Sequence, residues 1–412
     1  MRRLLDRVPH PHRVRSELEV FGAGPPHEGR REALERDLAR GEVGSELARI
    51  MEAAGVGPTH ARAFFGVLAD LRAAFAALAS LPGREAPDRD MQRTGWIHTR
   101  LEVLRAARAY ERTIAPRGPD HARNLLATLL GSAASDAFKD ASRHSLLWHN
   151  RAGAELVLPV LVDRHFDLRR PANRQMLELA MRLALEHQIT PPGFMAQALR
   201  AHLSETGGDE AVVEGICAKV ANPLDAPQQQ GEILFSSAEL AVLERAHLPG
   251  WATMTPGRAH DELSQIVVLA DVLQYVHHDG LLKIAVDIRD PEQQIPIMRD
   301  GLICEAVRSA VKSSFEMGLG VVRTPALIDF AKCRQDAMLE ELEREIWPEV
   351  KRRLAEARGD VSALCYWGRP AVPGGPVSVS ERRDIDLVKQ TFRDVVAERG
   401  AICLDPFSGA CR

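Results

Sequence analysis

Long apolar runs are missing from this sequence of 412 residues. It has no stretch of about 18 or more consecutive apolar residues, the length that a transmembrane helix needs. Its N-terminal residues also lack the apolar core of a secretory signal peptide. A strong charge of either sign is missing too, because the formal net charge is −4. We therefore expect no membrane insertion, and the charge gives no strong signal for binding to nucleic acid.

Cysteine pairs and common catalytic motifs are missing as well. None of the six cysteines forms a C-x-x-C pair, which argues against a zinc ribbon or a redox motif. Scattered cysteines in a chain without a signal peptide are typical of a reducing cytoplasm. The sequence contains neither a P-loop nor a G-x-S-x-G nucleophile elbow. The sequence therefore gives no support to the enzyme classes that these motifs mark.

The sequence that is present predicts an all-α protein. Aromatic residues make up only 5% of the chain, and alternating strand patterns are scarce. Alanine, leucine, arginine and glutamate dominate, with apolar residues at three- and four-residue steps. We predict a helical N-terminal region (1–90), a helical core (91–320) and a helical C-terminal extension (321–412) with a linker at 368–378.

A predicted C-terminal helix over 381–399 carries a clear apolar stripe. Its apolar residues recur on one face of the helix, as expected for a surface that is buried. The stripe must pack on the chain's own core or on a protein partner, which could be a second copy of the chain. The stripe consists of Ile385, Val388, Phe392 and Val395.

Histidine and aspartate recur on successive predicted helices. His98 begins one helix, His149 precedes an apolar run, and Asp271 lies on a later apolar helix. Imidazole nitrogens and carboxylate oxygens are common ligands of divalent metals. Each residue also has a structural interpretation, such as a satisfied core histidine or a salt bridge on a helix surface.

Taken in order, four segments resemble the HD-domain superfamily of metal-dependent phosphohydrolases. They are WIHTRLEVLRAARAY (96–110), LLATLLGSAASDAFKD (125–140), WHNRAGAELVLP (148–159) and IVVLADVLQYV (266–276). The resemblance covers about residues 90 to 285. It implies an HD-like helical core, a divalent metal and a phosphorylated small-molecule substrate. The ligands that it implies are His98, His149, His165 and Asp271.

One departure from the family pattern concerns its His-Asp dipeptide. We interpret Gly131-Ser132 as standing in its place, and neither side chain is a good ligand for a divalent ion. Asp136, Asp140 or His144 could supply replacement ligands. Two functions follow: a phosphohydrolase of phosphoesters or nucleotides with a degenerate site, or an inactive regulator or scaffold that binds a ligand or partner. A di-iron oxygenase ranks below both because it needs more ligands.

Overall fold

The computed structural model describes most of the chain, and its helical content confirms the all-α prediction. The described residues are 29–39, 43–79, 96–115, 118–137, 147, 149–187, 192–222, 225–229, 232–246, 248, 261–273, 322–359 and 379–402. These residues are mostly helical. They also include a short antiparallel hairpin, in which Gln228 and Gln229 pair with Ile233 and Glu232. None of the described helices is long and apolar enough to cross a membrane.

The chain divides into two units, Met1–Asp271 and Val272–Arg412. The predicted boundaries near residues 90 and 320 and the linker at 368–378 lie outside the described residues. In the first unit the helices are α1 Gly29–Ala39, α2 Val43–Ala53, α3 Pro58–Ala79, α4 Trp96–Thr113, α5 His121–Ala134, α6 His149–Ala152, α7 Leu158–His165, α8 Pro171–Glu186, α9 Pro192–Glu205, α10 Glu210–Ala221, α11 Ser237–Arg245 and α12 Glu262–Val272.

Helix α5 is buried over most of its length and lies at the centre of the first unit. Its residues from Leu125 to Ala134 are all buried, and it packs extensively against α4 and α8. A Cβ atom on Gly131 would lie 3.0 Å from Cβ of Leu183 and 3.1 Å from the carbonyl oxygen of Ala180. The missing side chain therefore lets the backbones of α5 and α8 approach closely.

A π-helical turn, Gly153–Val157, joins α6 to α7. A Cβ atom on Gly153 would overlap the carbonyl oxygen of Ala134 at the end of α5. Glycine is thus required for the contact between the two segments. The turn ends at Val157, and Pro159, which has no N–H to donate, is the second residue of α7, so it lies where the π-helical turn passes into the α-helix.

The second unit contains α13 Pro325–Glu341, α14 Trp347–Arg358 and α15 Val379–Ile402, with a π-helical turn at Leu342–Ile346. Helices α14 and α15 pack together. Three members of the predicted apolar stripe, Val388, Phe392 and Val395, are buried. Ion pairs from Arg353 to Glu398 and from Arg399 to Glu341 accompany this packing. The described part of the stripe is therefore covered within the chain.

Candidate metal centre

One buried group of side chains surrounds His98 in the first unit. His98 and Glu102 lie one turn apart on α4, Asp136 follows the end of α5, and Asp271 lies near the end of α12. The distances from His98 Nε2 to the nearest carboxylate oxygens are 3.2 Å for Glu102, 3.1 Å for Asp136 and 3.5 Å for Asp271. One ligand atom from each of these residues lies within 4.8 Å of the others.

A second group shares Asp136 with the first. His149 begins α6, and His187 directly follows α8. Each places its Nε2 atom 3.4 Å from Asp136 Oδ1. The other oxygen, Oδ2, is the one that faces His98. Asp136 therefore presents one carboxylate oxygen to each group of possible ligands.

Backbone hydrogen bonds orient the residues of the second group. His187 Nδ1 lies 2.7 Å from the carbonyl oxygen of Ala184. Because a carbonyl can only accept, Nδ1 carries a proton, and this bond orients the ring with Nε2 towards Asp136. Next to His149, the Asn150 amide donates to the carbonyl oxygen of Leu185 at 2.9 Å. This bond ties α6 to the end of α8 that carries His187.

Helix α12 is tied to α8 in a similar way. The Ser264 hydroxyl donates to the Glu186 carboxylate, and Arg182 forms an ion pair with Asp261 at 2.6 Å. Asp261 also accepts from the backbone N–H of Ser264 at the start of α12. These contacts fix the position of the helix whose far end carries Asp271.

The first group concentrates negative charge in a buried position. Side chains of His98, Glu102 and Asp136 are 3% exposed or less, and that of Asp271 is 18% exposed. Burial by itself lowers the pKa of His98, but the surrounding carboxylates, Asp136 first, hold it well above the usual value. Burial also raises the pKa of the Glu102 carboxyl. For His187, burial again lowers the pKa and Asp136 outweighs it, so the net direction is upwards.

These residues fit a divalent cation. His98 Nε2 is buried and makes no hydrogen bond of regular geometry, although three carboxylates lie within 3.5 Å of it. Buried carboxylates are costly unless positive charge compensates them. The two groups together offer three carboxylates and three imidazoles, which are ligands of Mn²⁺, Fe²⁺ and Zn²⁺. The buried cluster could therefore hold a metal ion.

The structure brings together four of the residues that the sequence analysis named: His98, Asp136, His149 and Asp271. The side chains of Asp140 and His144 lie outside the described residues. His165 does not join the cluster. Its Nε2 lies 3.1 Å from Asp70 Oδ2 instead, so its expected role as a ligand is corrected to a structural one.

One of the replacement ligands considered for Gly131-Ser132, Asp136, joins the cluster. Gly131 permits the close packing of α5 against α8, whereas the carboxylate comes from Asp136, just over one helical turn later. Asp136 is preceded by Ser135, so no histidine stands beside it. The sequence analysis also missed Glu102 and His187. Glu102 has a recognisable signal, because residues i and i+4 share a helix face and it follows His98 at that spacing.

Comparisons of the chain with protein-family models, with curated proteins and with solved structures found no match.

Proposed function

We propose that this protein is a metal-dependent phosphohydrolase that acts on a phosphoester or nucleotide. The observation that carries the proposal is the carboxylate of Asp136, which offers Oδ2 to the group around His98 and Oδ1 to His149 and His187. A carboxylate that is shared in this way can hold two cations a few ångströms apart. Pairs of cations about 3.5–4 Å apart are typical of phosphatases and nucleases.

When bound, such ions would supply an activated water and would stabilise the negative charge on the phosphoryl oxygens. The chain's own residues would hold them in different ways. His98, Glu102 and Asp271 would serve the first position, and His149 and His187 the second, with Asp136 shared. Because the second group supplies only three ligand atoms among the described residues, an ion there would have a coordination position left for water.

The exposure of the ligands indicates where a substrate would approach. Asp271 is the most exposed residue of the first group, whereas its other members are nearly inaccessible. A phosphoester would therefore enter beside the end of α12. Hydrolysis joins the water oxygen to phosphorus and breaks the ester P–O bond, and the departing alcohol takes up a proton.

The place of Asp136 in the cluster also supports the proposed resemblance to the HD-domain superfamily. If Ser135-Asp136, rather than Gly131-Ser132, stands in place of the family's His-Asp dipeptide, the chain keeps the carboxylate and lacks the imidazole. The cluster then contains more possible ligands than we expect of an inactive, degenerate site. This favours the phosphohydrolase over the regulator or scaffold.

The test combines metal analysis with phosphoesterase assays on the full chain. Purified protein is stripped with a chelator, reloaded with Mn²⁺, Zn²⁺ or Fe²⁺, and assayed with p-nitrophenyl phosphate, bis-p-nitrophenyl phosphate and nucleotides. We expect about two ions per chain and metal-dependent release of product. Two bound ions without hydrolysis of any substrate class would instead support the regulator, and a folded protein without bound ions would contradict the phosphohydrolase and leave the regulator or scaffold.

A further inference from the structure

Glu102 occupies an unusual position for a carboxylate. Its side chain is fully buried, and its Oε2 atom lies 3.2 Å from His98 Nε2. Among the described residues, its hydrogen-bond and ion-pair partners are His98 and Ser135. It belongs to the same group as Asp136 and Asp271, so three acidic side chains lie close together. Such an arrangement is unfavourable unless a cation compensates it.

Ser135 fixes the orientation of Glu102. Its hydroxyl lies 3.0 Å from Glu102 Oε1 and 3.3 Å from Oε2, and 2.9 Å from the carbonyl oxygen of Ser132. A hydroxyl has one proton, and an ionised carboxylate is the stronger acceptor. A bond to Oε1 leaves Oε2, the oxygen nearest His98, free to bind a cation.

The two groups consequently differ in their ligand chemistry. The first contains one imidazole and three carboxylates, and the second contains two imidazoles and one carboxylate. Oxygen ligands suit hard cations such as Mg²⁺ and Mn²⁺, whereas imidazole suits Zn²⁺ and similar ions. Glu102 is the residue that makes this difference largest.

We propose that Glu102, positioned by the Ser135 hydroxyl, is a metal ligand that makes the first position selective for a hard cation such as Mn²⁺, while the His149–His187 position prefers Zn²⁺. The inference rests on the two ion positions of the proposed function and does not depend on which substrate is hydrolysed. Glu102 would bind the ion itself. Ser135 is a positioning residue, because it acts through Glu102.

The experiment uses the full chain, stripped of metal, with one equivalent of Zn²⁺ added before an excess of Mn²⁺. Bound ions are counted by elemental analysis, and Mn²⁺ is examined by electron paramagnetic resonance. We expect one Zn²⁺ and one Mn²⁺ per chain, with the signal of an isolated Mn²⁺ rather than a spin-coupled pair. The signal of a spin-coupled Mn²⁺ pair, which would mean that Zn²⁺ had filled both positions in about half of the chains, would overturn the selectivity, and so would displacement of the Zn²⁺ by excess Mn²⁺.

Four variants assign the positions. Glu102→Gln should lose Mn²⁺ and keep Zn²⁺, and His187→Ala should do the reverse. Ser135→Ala should weaken Mn²⁺ binding by about 10-fold or more, and Ser135→Thr, which keeps the hydroxyl, should restore it. Thermal melts and circular dichroism of each variant show that the fold is intact. If Glu102→Gln is folded and binds Mn²⁺ like the wild type, Glu102 is not a ligand.

The outcomes separate this inference from the proposed function. A wild-type protein that binds the mixed pair but hydrolyses no phosphoester would contradict the function and leave the role of Glu102 standing. A wild-type protein that hydrolyses phosphoesters, with a Glu102→Gln variant that binds both ions normally, would contradict the inference alone.

Discussion

The first unit contains two buried histidine–carboxylate clusters that differ in charge balance. In the metal cluster, defined as His98, Glu102, Asp136, His149, His187 and Asp271, three carboxylates face three imidazoles. In the Asp70 cluster, a single buried carboxylate on α3 pairs with His165 at 3.1 Å and with Arg164 at 3.2 Å. A guanidinium is always charged, so Asp70 is compensated by the protein itself. The comparison shows that charge balance, more than the presence of histidine, distinguishes a candidate ion site.

The packing around His165 also indicates that the Asp70 cluster has a structural role. A Cβ atom on residue 66 would overlap the imidazole ring of His165, so Gly66 provides the space in which that ring lies against α3. Burial by itself raises the pKa of Asp70, but its bonds to His165 and Arg164 bring it below the usual value. The Asp70 cluster thus joins α3 to α7 and has a structural role.

The largest expected effect comes from replacing the central acid of the metal cluster. Asp136→Asn removes the charge that both groups share, so we expect loss of both ions and of the hydrolysis that depends on them. The fall in ion affinity should exceed the roughly 10- to 100-fold typical of changes beside a ligand. Elemental analysis after dialysis measures the loss. Asp70→Asn is the matched control, and it should retain the full complement of ions.

The next largest effect concerns the contact between α5 and α6. Gly153→Val would force a side chain into the carbonyl oxygen of Ala134, two residues before Asp136. We expect a loss of stability of about 3 kcal/mol or more, together with weaker ion binding. Chemical denaturation with and without Mn²⁺ measures both. Gly193→Ala is the control, since a Cβ atom there meets nothing within 4 Å, and an equal loss in the control would contradict the explanation.

Asp70→Asn should have a moderate effect on stability. The change removes the negative charge that Arg164 and His165 share and replaces one carboxylate oxygen by an NH2 donor, which we expect to cost about 1–3 kcal/mol. Because both partners are partly exposed to solvent, the cost should lie in the lower part of that range. Urea denaturation at neutral pH measures it. A loss of bound ions in this variant would show that the two clusters are not independent.

The smallest effect is a difference between the two clusters in how their contribution to stability depends on pH. In metal-free protein the pKa values of His98 and His187 are raised, so their contribution to stability is complete below the unfolded value of about 6.5 and is lost as the pH rises through the folded values. The lowered pKa of Asp70 has the opposite sign. Its contribution is present above about pH 4 and is lost as the pH falls through the folded value.

Thermal melts between pH 3 and 9 can separate the two trends. Adding Mn²⁺ should reduce the loss at high pH, because metal ions replace the bound protons. The loss at low pH should be smaller in Asp70→Asn than in the wild type. If both proteins lose the same stability at low pH, the assignment of that loss to Asp70 is wrong.

Several features could be predicted from the sequence because they depend on local patterns. The three- and four-residue periodicity was sufficient for the all-α fold. His98, His149 and Asp271 were named because each lies at a characteristic place on a predicted helix. His149-x-x-x-Gly153 also has a physical basis, since the glycine lies one turn after the histidine and permits the contact with α5.

The remaining features depend on contacts between distant segments. Gly131 and Asp136 lie on the same stretch of chain, and only the packing of α5 against α8 shows which of them faces the site. His187 follows an ordinary amphipathic helix, and its sequence gives no sign that Asp136 is near. His165 was misassigned because its partner Asp70 lies 95 residues earlier. Sequence spacing within one helix carries no information about such pairings.

The positions of the six cluster residues along the chain also bear on how the protein is made. The first, His98, and the last, Asp271, bracket the helices from α4 to α12. During synthesis from the N-terminus, five of the six emerge from the ribosome well before Asp271. A nascent chain would therefore hold an incomplete set of ligands, with two of the three carboxylates, until α12 docks. Delivery of the ion would then be a late step that locks this half of the protein after translation has passed its final acid.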